Sequence, residues 1–319
     1  MLDFETIKKI TVGAVDIWQD GSGVHFSKCT KKQRSEWAKI EPPCIYDNTL
    51  ASTGVRFDFH TNSPFVEVET SSGNKFEVKI NGVLTHRFTR SEDEEPLKFK
   101  IDLNGGENHV VIYMPSHNPC GVIKSVSVAD GASLTPHKFD KKILFLGDSI
   151  TQGWDSKYDS LSFAYLISEF FNAESVIQGI GTACFEPTTV YDMGFDPEVV
   201  FVAFGTNDFG QRISFELLKE RAQGHLQKVK NLYSKSKIFV ITPIWRVDCD
   251  IITKAGDFES CKKAVADCAK SLNLTVVNGD KLVPPNRDFM ADYWHPNDLG
   301  FTVYAINLLR EIVKSVELK

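Results

Sequence analysis

The first 135 residues alternate apolar and polar positions over short windows, which is the period of a half-buried β-strand. Turn-forming stretches such as TNSP, SSGN and NGGEN separate these windows. The alternating windows are VRFDFHT, FVEVET, KFEVKING, HRFTR, LKFKIDL and HVVIYM. The pattern predicts an all-β domain over residues 1–135, a sandwich or jelly roll, with no helix beyond a turn near KKQRSEWAK.

The pattern changes after GASLTPHKFDKK, which has the composition of a linker between domains. Continuous apolar strands then alternate with amphipathic helices, as in a parallel sheet covered on both faces. The strands are ILFLG, SVIQG, VVFVAFG, KIFVITPI and LTVVNG, and the helices are LSFAYLISEFF, SFELLKERAQGHLQKVKNLYSK, FESCKKAVADCAKSL and a last one from Asn297 to Val316. Residues 140–319 are therefore predicted to form a three-layer α/β domain.

Composition limits the classes of partner. The 319 residues are 42% hydrophobic and carry a net charge of −6 without a basic cluster, which argues against nucleic acid and anionic membranes. No apolar run approaches the ~20 residues that span a bilayer. The first residues lack a basic, apolar leader, so a cytoplasmic location is predicted unless a leader has been removed. The seven cysteines show no metal-binding spacing, and free thiols are expected.

Residues able to carry chemistry follow the ends of the predicted strands, the edge where α/β sheets form their sites. Ser149 follows the first strand in Gly-Asp-Ser, and Asn207 follows the third. Asp292 and His295 precede the last helix, at a spacing that lets the carboxylate hold one ring nitrogen while the other faces a nucleophile. Taken singly, these features are typical of a turn, a cap and a surface histidine. Together they supply a nucleophile, a base, an orienting acid and an oxyanion donor.

Four sequence blocks resemble those of the SGNH hydrolase superfamily, also called GDSL esterases. The blocks are GDSIT at 147–151, IQGIGT at 177–182, GTND at 205–208 and DYWHP at 292–296. The resemblance covers roughly residues 140–319 and implies a flavodoxin-like domain. It also implies that Ser149 is the nucleophile, His295 the general base and acid, and Asp292 the residue that orients it. The Ser149 N–H and the Asn207 amide would then belong to the oxyanion hole.

The second block departs from the family pattern. The glycine that donates its N–H to the oxyanion falls at Thr182, after Gly181, and the family's asparagine is replaced by Ile177. A threonine can serve because the donor is a backbone N–H, provided that its φ and ψ permit. The stretch STGVRFDFHTNSPFVEVE is similar to the jelly-roll domain that precedes the catalytic domain in family-two carbohydrate esterases and certain acyltransferase relatives.

The resemblance implies hydrolysis of esters through an acyl-enzyme, with no metal and no cofactor. Trp154, Trp245, Trp294 and Asp148 are the candidate substrate contacts, and a small acyl group, acetyl above all, on a carbohydrate is the expected substrate. Aromatic residues at a cleft are equally typical of loop packing. Two alternatives stay open: an acyltransferase that uses the same acyl-enzyme, and a non-catalytic carbohydrate-binding protein. The sequence leaves the oligomeric state open.

Overall fold

The first half of the chain forms two antiparallel sheets, in a computed structural model that describes residues 1–90, 97–118, 120–313 and 316. The strands are β1 (Thr11–Val12), β2 (Asp16–Asp20), β3 (Gly23–Ser27), β4 (Arg56–Thr61), β5 (Phe65–Ser72), β6 (Lys75–Ile80), β7 (Val83–Thr89), β8 (Lys98–Asp102), β9 (Asn108–Tyr113), β10 (Val122–Val128) and β11 (Leu134–Pro136). One sheet has the order β1-β4-β9-β6-β7, with β11 also paired to β4, and the other has the order β2-β3-β10-β5-β8. All six alternating windows of the sequence lie on these strands.

The second half of the chain forms a five-stranded parallel sheet with helices on both faces. Its strands are β12 (Lys141–Gly147), β13 (Ala173–Gly179), β14 (Val199–Ala203), β15 (Lys237–Ile241) and β16 (Thr275–Val277). The order β13-β12-β14-β15-β16 is that of flavodoxin-like folds, so the predicted fold class is confirmed. Its helices are α4 (Ser149–Gln152), α5 (Phe163–Phe170), α6 (Phe215–Leu232), α7 (Phe258–Ser271) and α8 (Asp298–Ile312). Residues 314–315 of the predicted last helix lie outside the described residues.

Alternation along the parallel strands divides the core in two. On β12, Leu144 and Leu146 pack into the cluster that contains the buried residues of α6 and α7. Ile143 and Phe145 pack into the cluster that contains those of α5 and α8. Because both faces are covered, these strands carry apolar residues on both faces, which is why their sequence shows a continuous apolar run rather than an alternation.

Three short helices in the first half correct the expectation of an all-β segment without helices. They are α1 (Phe4–Ile10), α2 (Lys31–Trp37) and α3 (Cys44–Leu50). A capping box between Thr30 and Gln33 starts α2, and this T-x-x-Q signal is visible in the sequence. Cys29, Trp37 and Ile45 pack into the same core cluster as Leu146 of the parallel sheet. The segment 29–50 therefore covers one face of the α/β domain, and the proposed division near residues 135–140 stays a prediction.

One face of β4 contacts the α/β domain. Phe57 and Phe59 point into the core between the two antiparallel sheets, whereas Arg56 and Asp58 occupy the alternate positions on the opposite face. Arg56 Nη2 donates to the Ala173 carbonyl at 3.2 Å, which joins this face to β13. Among the described helices, none combines the length and the hydropathy needed to cross a membrane.

Candidate active site

The turn between β12 and α4 places Ser149 at the carboxyl edge of the parallel sheet. Asp148 caps α4, because its Oδ1 accepts the Ile150 N–H at 2.9 Å. A β-carbon on Gly147 would lie 2.0 Å from the Thr151 Oγ1 atom. Gly147 is therefore needed for the close approach of the helix to the strand.

Gly179, at the end of β13, meets the same helix from the other side. A β-carbon there would lie 2.1 Å from the backbone nitrogen of Gln152. Gly147 and Gly179 are register partners in the sheet. The two glycines thus allow α4 to rest directly on the ends of two neighbouring strands, and this contact fixes where the helix, and Ser149 at its first position, can lie.

Ser149, His295 and Asp292 form a continuous hydrogen-bonded chain. The Ser149 Oγ atom lies 2.8 Å from His295 Nε2, and His295 Nδ1 lies 2.8 Å from Asp292 Oδ2. Because an ionised carboxylate only accepts, Nδ1 carries the proton and Nε2 presents its lone pair to the serine hydroxyl. Ser149 and His295 are 5% and 8% exposed, so the reacting atoms are recessed. The structure thus brings together the three residues predicted for catalysis.

Hydrogen bonds keep Asp292 in its ionised form. Its Oδ1 accepts the backbone N–H groups of Trp294 and His295, each at 2.7 Å. Partial burial on its own would raise the pKa of Asp292, but these two N–H groups and the His295 ring outweigh it, and the pKa is lowered. The same two bonds fix the loop between Asp292 and α8, which holds the imidazole in place.

A second carboxylate, which the sequence analysis missed, reaches the same imidazole. Asp155 Oδ2 lies 3.3 Å from His295 Nδ1, while Asp292 Oδ2 lies 2.8 Å from that atom. Burial, together with the negative charge of Asp292, raises the pKa of Asp155 although His295 opposes the shift. Asp155 follows α4 with a left-handed backbone, φ 67°. Only the folded loop shows this proximity, because Asp155 belongs to no recognised motif.

The predicted oxyanion donors differ in whether their N–H groups already have an acceptor. Ser149 is the first residue of α4, where the N–H groups of a helix have no intrahelical acceptor. One hydrogen of the Asn207 amide is donated to the Ala183 carbonyl at 3.0 Å, and among the described residues the second has no acceptor. The Gly181 N–H is already donated to Gln152 Oε1 at 2.7 Å, which leaves the Thr182 N–H as the candidate donor of this loop.

Thr182 adopts the backbone conformation that a glycine would take more easily. Its φ is 67°, in the left-handed region, which costs a residue with a β-carbon about 1 kcal/mol or more. The Thr182 Oγ1 donates to the Gly181 carbonyl at 2.6 Å, and Asn48 Nδ2 donates to the same carbonyl at 3.2 Å. These bonds from the threonine and from α3 hold the loop in a conformation for which the superfamily uses glycine.

A cavity of about 410 Å³ opens at these residues, within the ordinary size range of small-molecule sites. Of the four predicted substrate contacts, Trp154 and Trp294 line it. Trp245 instead packs against the core cluster below the sheet, and Asp148 is 2% exposed and engaged in the helix cap. The lining comprises Ser149, Trp154, Gly181, Thr182, Thr206, Asn207, Gly210, Arg246, Asp248, Ile251, Asp292, Trp294 and His295.

An arginine–aspartate pair, also missed from the sequence, holds one wall of the cavity. The Arg246 guanidinium donates twice to Asp248, at 2.5 and 2.9 Å, and a third time to the Thr206 carbonyl at 2.8 Å. Trp294 Nε1 donates to Asp248 Oδ2 at 3.0 Å. The indole is thereby fixed by its edge, while 45% of Trp294 stays exposed. The arrangement presents a rigid aromatic surface beside polar groups.

The site defines the protein as a serine hydrolase of the class that works through an acyl-enzyme. At the edge of a flavodoxin-like sheet it combines a recessed serine, a histidine with its carboxylate and nearby unpaired N–H donors. Residues 145–303 match the model of the GDSL-like lipase/acylhydrolase family. The chain is a member of this family, in the SGNH superfamily, and its activity is that of an esterase or acyltransferase. No curated protein sequence matches the chain.

Solved structures resemble the protein over 83–98% of its length. A salicylyl-acyltransferase, SsfX3, from a tetracycline biosynthetic pathway aligns with a TM-score of 0.84 at 15% identity, over 97% of this chain and 96% of its own. A GDSL-like lipase from Bacteroides ovatus aligns with a TM-score of 0.76 at 17% identity, over 98% of both chains. A family-two carbohydrate esterase from Clostridium thermocellum, in complex with cellohexaose, aligns with a TM-score of 0.68 at 17% identity, over 83% of this chain and 93% of its own. At these identities the likeness establishes a shared fold.

Proposed function

We propose that the protein is a serine esterase that removes small acyl groups, acetyl above all, from carbohydrate esters through an acyl-enzyme on Ser149. The observation that carries this proposal is the 2.8 Å contact between Ser149 Oγ and His295 Nε2 at the floor of an open cavity. The remaining support comes from the side chains that line that cavity.

The chemistry follows from the proton positions. His295 Nε2 takes the hydroxyl proton as Ser149 Oγ attacks the ester carbonyl, and the developing oxyanion is stabilised by the N–H groups of Ser149 and Thr182 and by the Asn207 amide. The tetrahedral intermediate collapses and expels the alcohol, which receives the proton from His295. Water, deprotonated by the same nitrogen, then attacks the acyl-enzyme, and the carboxylic acid leaves as Ser149 regains its proton. None of these steps involves a metal or a cofactor.

The cavity lining supports a short acyl group. Ile251 is the single aliphatic side chain among the described lining residues, so apart from the rings of Trp154 and Trp294 a long acyl chain would find little apolar surface to bury. The Asn207 amide and the partly exposed Asp248 carboxylate lie on the wall, where they suit the hydroxyl groups of a sugar. The exposed, edge-fixed ring of Trp294 suits the face of a sugar ring. The carbohydrate assignment therefore depends on this wall rather than on the catalytic residues.

A second candidate function, acyl transfer, is favoured by the long alignment with the salicylyl-acyltransferase, which covers 97% of this chain. Transfer uses the same acyl-enzyme, and an acceptor alcohol replaces water in the second half of the reaction. The Trp294 wall would then bind the acceptor. Product analysis with a competing alcohol separates the two reactions, because transfer yields a new ester in place of the free acid.

The test compares hydrolysis of p-nitrophenyl acetate, butyrate and octanoate by the wild type and by Ser149→Ala. We expect the acetate to be cleaved fastest and all activity to vanish in the variant. A rate that rises towards octanoate would overturn the assignment of a short acyl group. Activity retained by Ser149→Ala would remove the serine from its proposed role.

The carbohydrate assignment has its own matched pair of variants. Trp294→Ala removes the aromatic face, whereas Trp294→Phe keeps a ring but loses the bond to Asp248. With acetylated xylan or cellobiose octaacetate we expect Trp294→Ala to raise KM severalfold while Trp294→Phe raises it less, and with p-nitrophenyl acetate we expect both to resemble the wild type. Equal kinetics of all three proteins on the acetylated sugars would contradict a sugar-binding role for this wall.

A further inference from the structure

Three histidines that are distant in the sequence meet on the face of the first antiparallel sheet that turns towards the α/β domain. His60 and His109 are direct partners across β4 and β9, and such partners project from the same face. His137 follows β11, which pairs with β4, and its N–H donates to the Asp58 carbonyl at 3.1 Å. The ring centroids are separated by 4.6 Å for His60–His109, 4.3 Å for His109–His137 and 5.3 Å for His60–His137.

We propose that His60, His109 and His137 bind a divalent transition-metal ion such as Zn²⁺, at a site separate from the catalytic centre. One ligand nitrogen of each histidine lies within 4.8 Å of the others. Imidazole is a ligand that suits Zn²⁺, Cu²⁺ and Ni²⁺, and three histidines leave one position of a tetrahedral ion for water. The side chains of His60 and His109 are 31% and 25% exposed, so an ion can reach them from solvent.

The outer nitrogens of two of these rings are held by oxygen acceptors. His109 Nε2 lies 2.7 Å from Asp58 Oδ1, and His137 Nε2 lies 2.8 Å from Asn172 Oδ1. Each of these nitrogens therefore carries a proton, and in the neutral ring the lone pair is on Nδ1. A carboxylate or carbonyl on the outer nitrogen is the usual support of a metal-binding histidine, because it fixes the tautomer and the ring orientation.

The orientation of the Asn172 amide is set independently. Its Nδ2 donates to the Lys138 carbonyl at 3.2 Å and to Asp140 Oδ2 at 2.9 Å. The amide oxygen therefore has to face His137, which makes Nε2 of that ring the donor. The tautomer of His137 thus follows from contacts that do not involve the other two histidines.

The distance between His60 and His137 is close to that required by a shared ion. His60 Nε2 lies 3.0 Å from His137 Nδ1, and because that Nδ1 carries the lone pair, His60 Nε2 donates to it. A bound ion would take the place of this proton, which His60 would then carry on Nδ1. Two Zn–N bonds of about 2.0–2.1 Å at a tetrahedral angle place the nitrogens about 3.3–3.4 Å apart, so a shift of a few tenths of an ångström suffices. The His109 ring is stacked within 14° of parallel on the other two, so it has to rotate about its Nε2 bond to Asp58, which is thereby kept, for the Nδ1 lone pair to point at the ion. Binding is therefore expected to break this stack.

The location gives the ion a structural role between the domains. Asp58, which supports His109, also accepts from Arg56 Nε at 2.8 Å, and Arg56 in turn donates to the Ala173 carbonyl of β13. Asn172, which supports His137, lies between α5 and β13 of the α/β domain. A bound ion would thus connect two strands of the antiparallel sheet and the linker to a network that is anchored in the α/β domain.

The test is a Zn²⁺ titration of the chelator-treated, full-length protein by calorimetry, with thermal unfolding and Co²⁺ absorption as further readouts. We expect one equivalent to bind and to raise Tm, and we expect affinity to fall at least about 100-fold in His60→Gln and in His137→Gln. His86→Gln is the matched control, because His86 is a half-buried histidine of β7 outside the cluster. The Co²⁺ spectrum should lack a thiolate charge-transfer band.

A second control addresses the active site, where Asp155, Asp292 and His295 also lie close enough to hold an ion. His295→Gln should retain the bound equivalent and the rise in Tm if the ion binds at the histidine cluster. The proposal is overturned if the wild type binds no Zn²⁺, if the equivalent is lost in His295→Gln, or if His60→Gln and His137→Gln bind as tightly as the wild type. Because all readouts are independent of turnover, they test this site apart from the esterase proposal.

Discussion

Two carboxylates reach one nitrogen of His295, and we expect the loss of either charge to be partly compensated by the other. The change to make is Asp292→Asn, because asparagine keeps an Oδ1 acceptor for the Trp294 and His295 N–H groups and so preserves the loop. Asp155→Asn and the double variant complete the cycle. Without Asp155, the amide introduced by Asp292→Asn would donate to His295 Nδ1 and force the proton onto Nε2, the wrong tautomer for accepting from Ser149.

The distances give the size of the compensation. The attraction of a positive imidazolium varies as the inverse of the separation, so Asp155 at 3.3 Å offers most of what Asp292 offers at 2.8 Å. With an effective dielectric constant between about 20 and about 80, the attraction is about 6 to 1.5 kcal/mol for the nearer carboxylate and about 5 to 1.3 kcal/mol for the farther one. Both side chains are more than one third exposed, which favours the smaller values.

A further effect strengthens the compensation. The negative charge of Asp292 is one cause of the raised pKa of Asp155, so its removal lowers that pKa and leaves Asp155 more fully ionised. Loss of the orienting carboxylate in a serine–histidine–aspartate site costs about 10⁴ in kcat. We expect kcat to fall only about 10–10²-fold in Asp292→Asn and less than about 10-fold in Asp155→Asn. In the double variant we expect the full loss of about 10⁴-fold in kcat.

The assay is kcat/KM for p-nitrophenyl acetate across pH 6–9 for the four proteins. We expect the fold-loss in the double variant to be much larger than the product of the fold-losses in the two single variants. Such a result shows that each carboxylate can take over the role of the other. Losses that simply multiply would refute the compensation. A single Asp292→Asn variant that already loses about 10⁴ would show that Asp155 does not support the imidazole.

Three further predictions concern the surroundings of Ser149. Asn207→Ala should lower kcat about 10²–10³-fold with little change in KM, because the amide acts on the oxyanion, and a loss confined to KM would argue for ordinary substrate binding. Gly179→Ala should lower Tm and activity together, since its β-carbon would lie 2.1 Å from the Gln152 nitrogen, and wild-type behaviour would show that α4 does not rest on this strand. Burial raises the pKa of Asp148 from 3.8 to about 7, so the folded state keeps a proton that the unfolded state loses above pH 4, and stability falls as the pH rises towards 7. Asp148→Asn retains a capping side chain but has no carboxyl group to titrate. Between pH 5 and pH 7 its free energy of unfolding in urea should therefore fall less than that of the wild type, by up to about 2.7 kcal/mol. The same pH dependence in both proteins would contradict the raised pKa.

The sequence was sufficient for features that depend on local pattern. The apolar runs of the parallel strands identified the α/β domain, and the four motif blocks placed Ser149, Asn207, Asp292 and His295 at one edge of the sheet, where the structure brings them together. Strand alternation was equally readable in β4 to β9. Short elements such as the hairpin of β2 and β3 and the two-turn helices α1 to α3 gave weaker patterns, although the capping box of α2 was visible.

The sequence was insufficient for contacts made by loops. Asp155 approaches His295 only because the chain after α4 turns with a left-handed residue, and no motif marks that position. Trp154 and Trp245 looked alike as aromatic residues near a site, but only the folded chain distinguishes the one that lines the cavity from the one that packs on the core. The pairing of His60 with His109 likewise depends on strand register, which spacing along the chain does not reveal.

The central claim, an acyl-enzyme on Ser149, is tested most directly by mass spectrometry of the intact protein quenched during turnover of p-nitrophenyl acetate, followed by peptide mapping. We expect a single added acetyl group in the peptide that contains GDSIT, absent from Ser149→Ala and longer-lived in the Asp292→Asn, Asp155→Asn double variant, where water is poorly activated. An adduct on another residue, or turnover without any adduct in the double variant, would contradict the account.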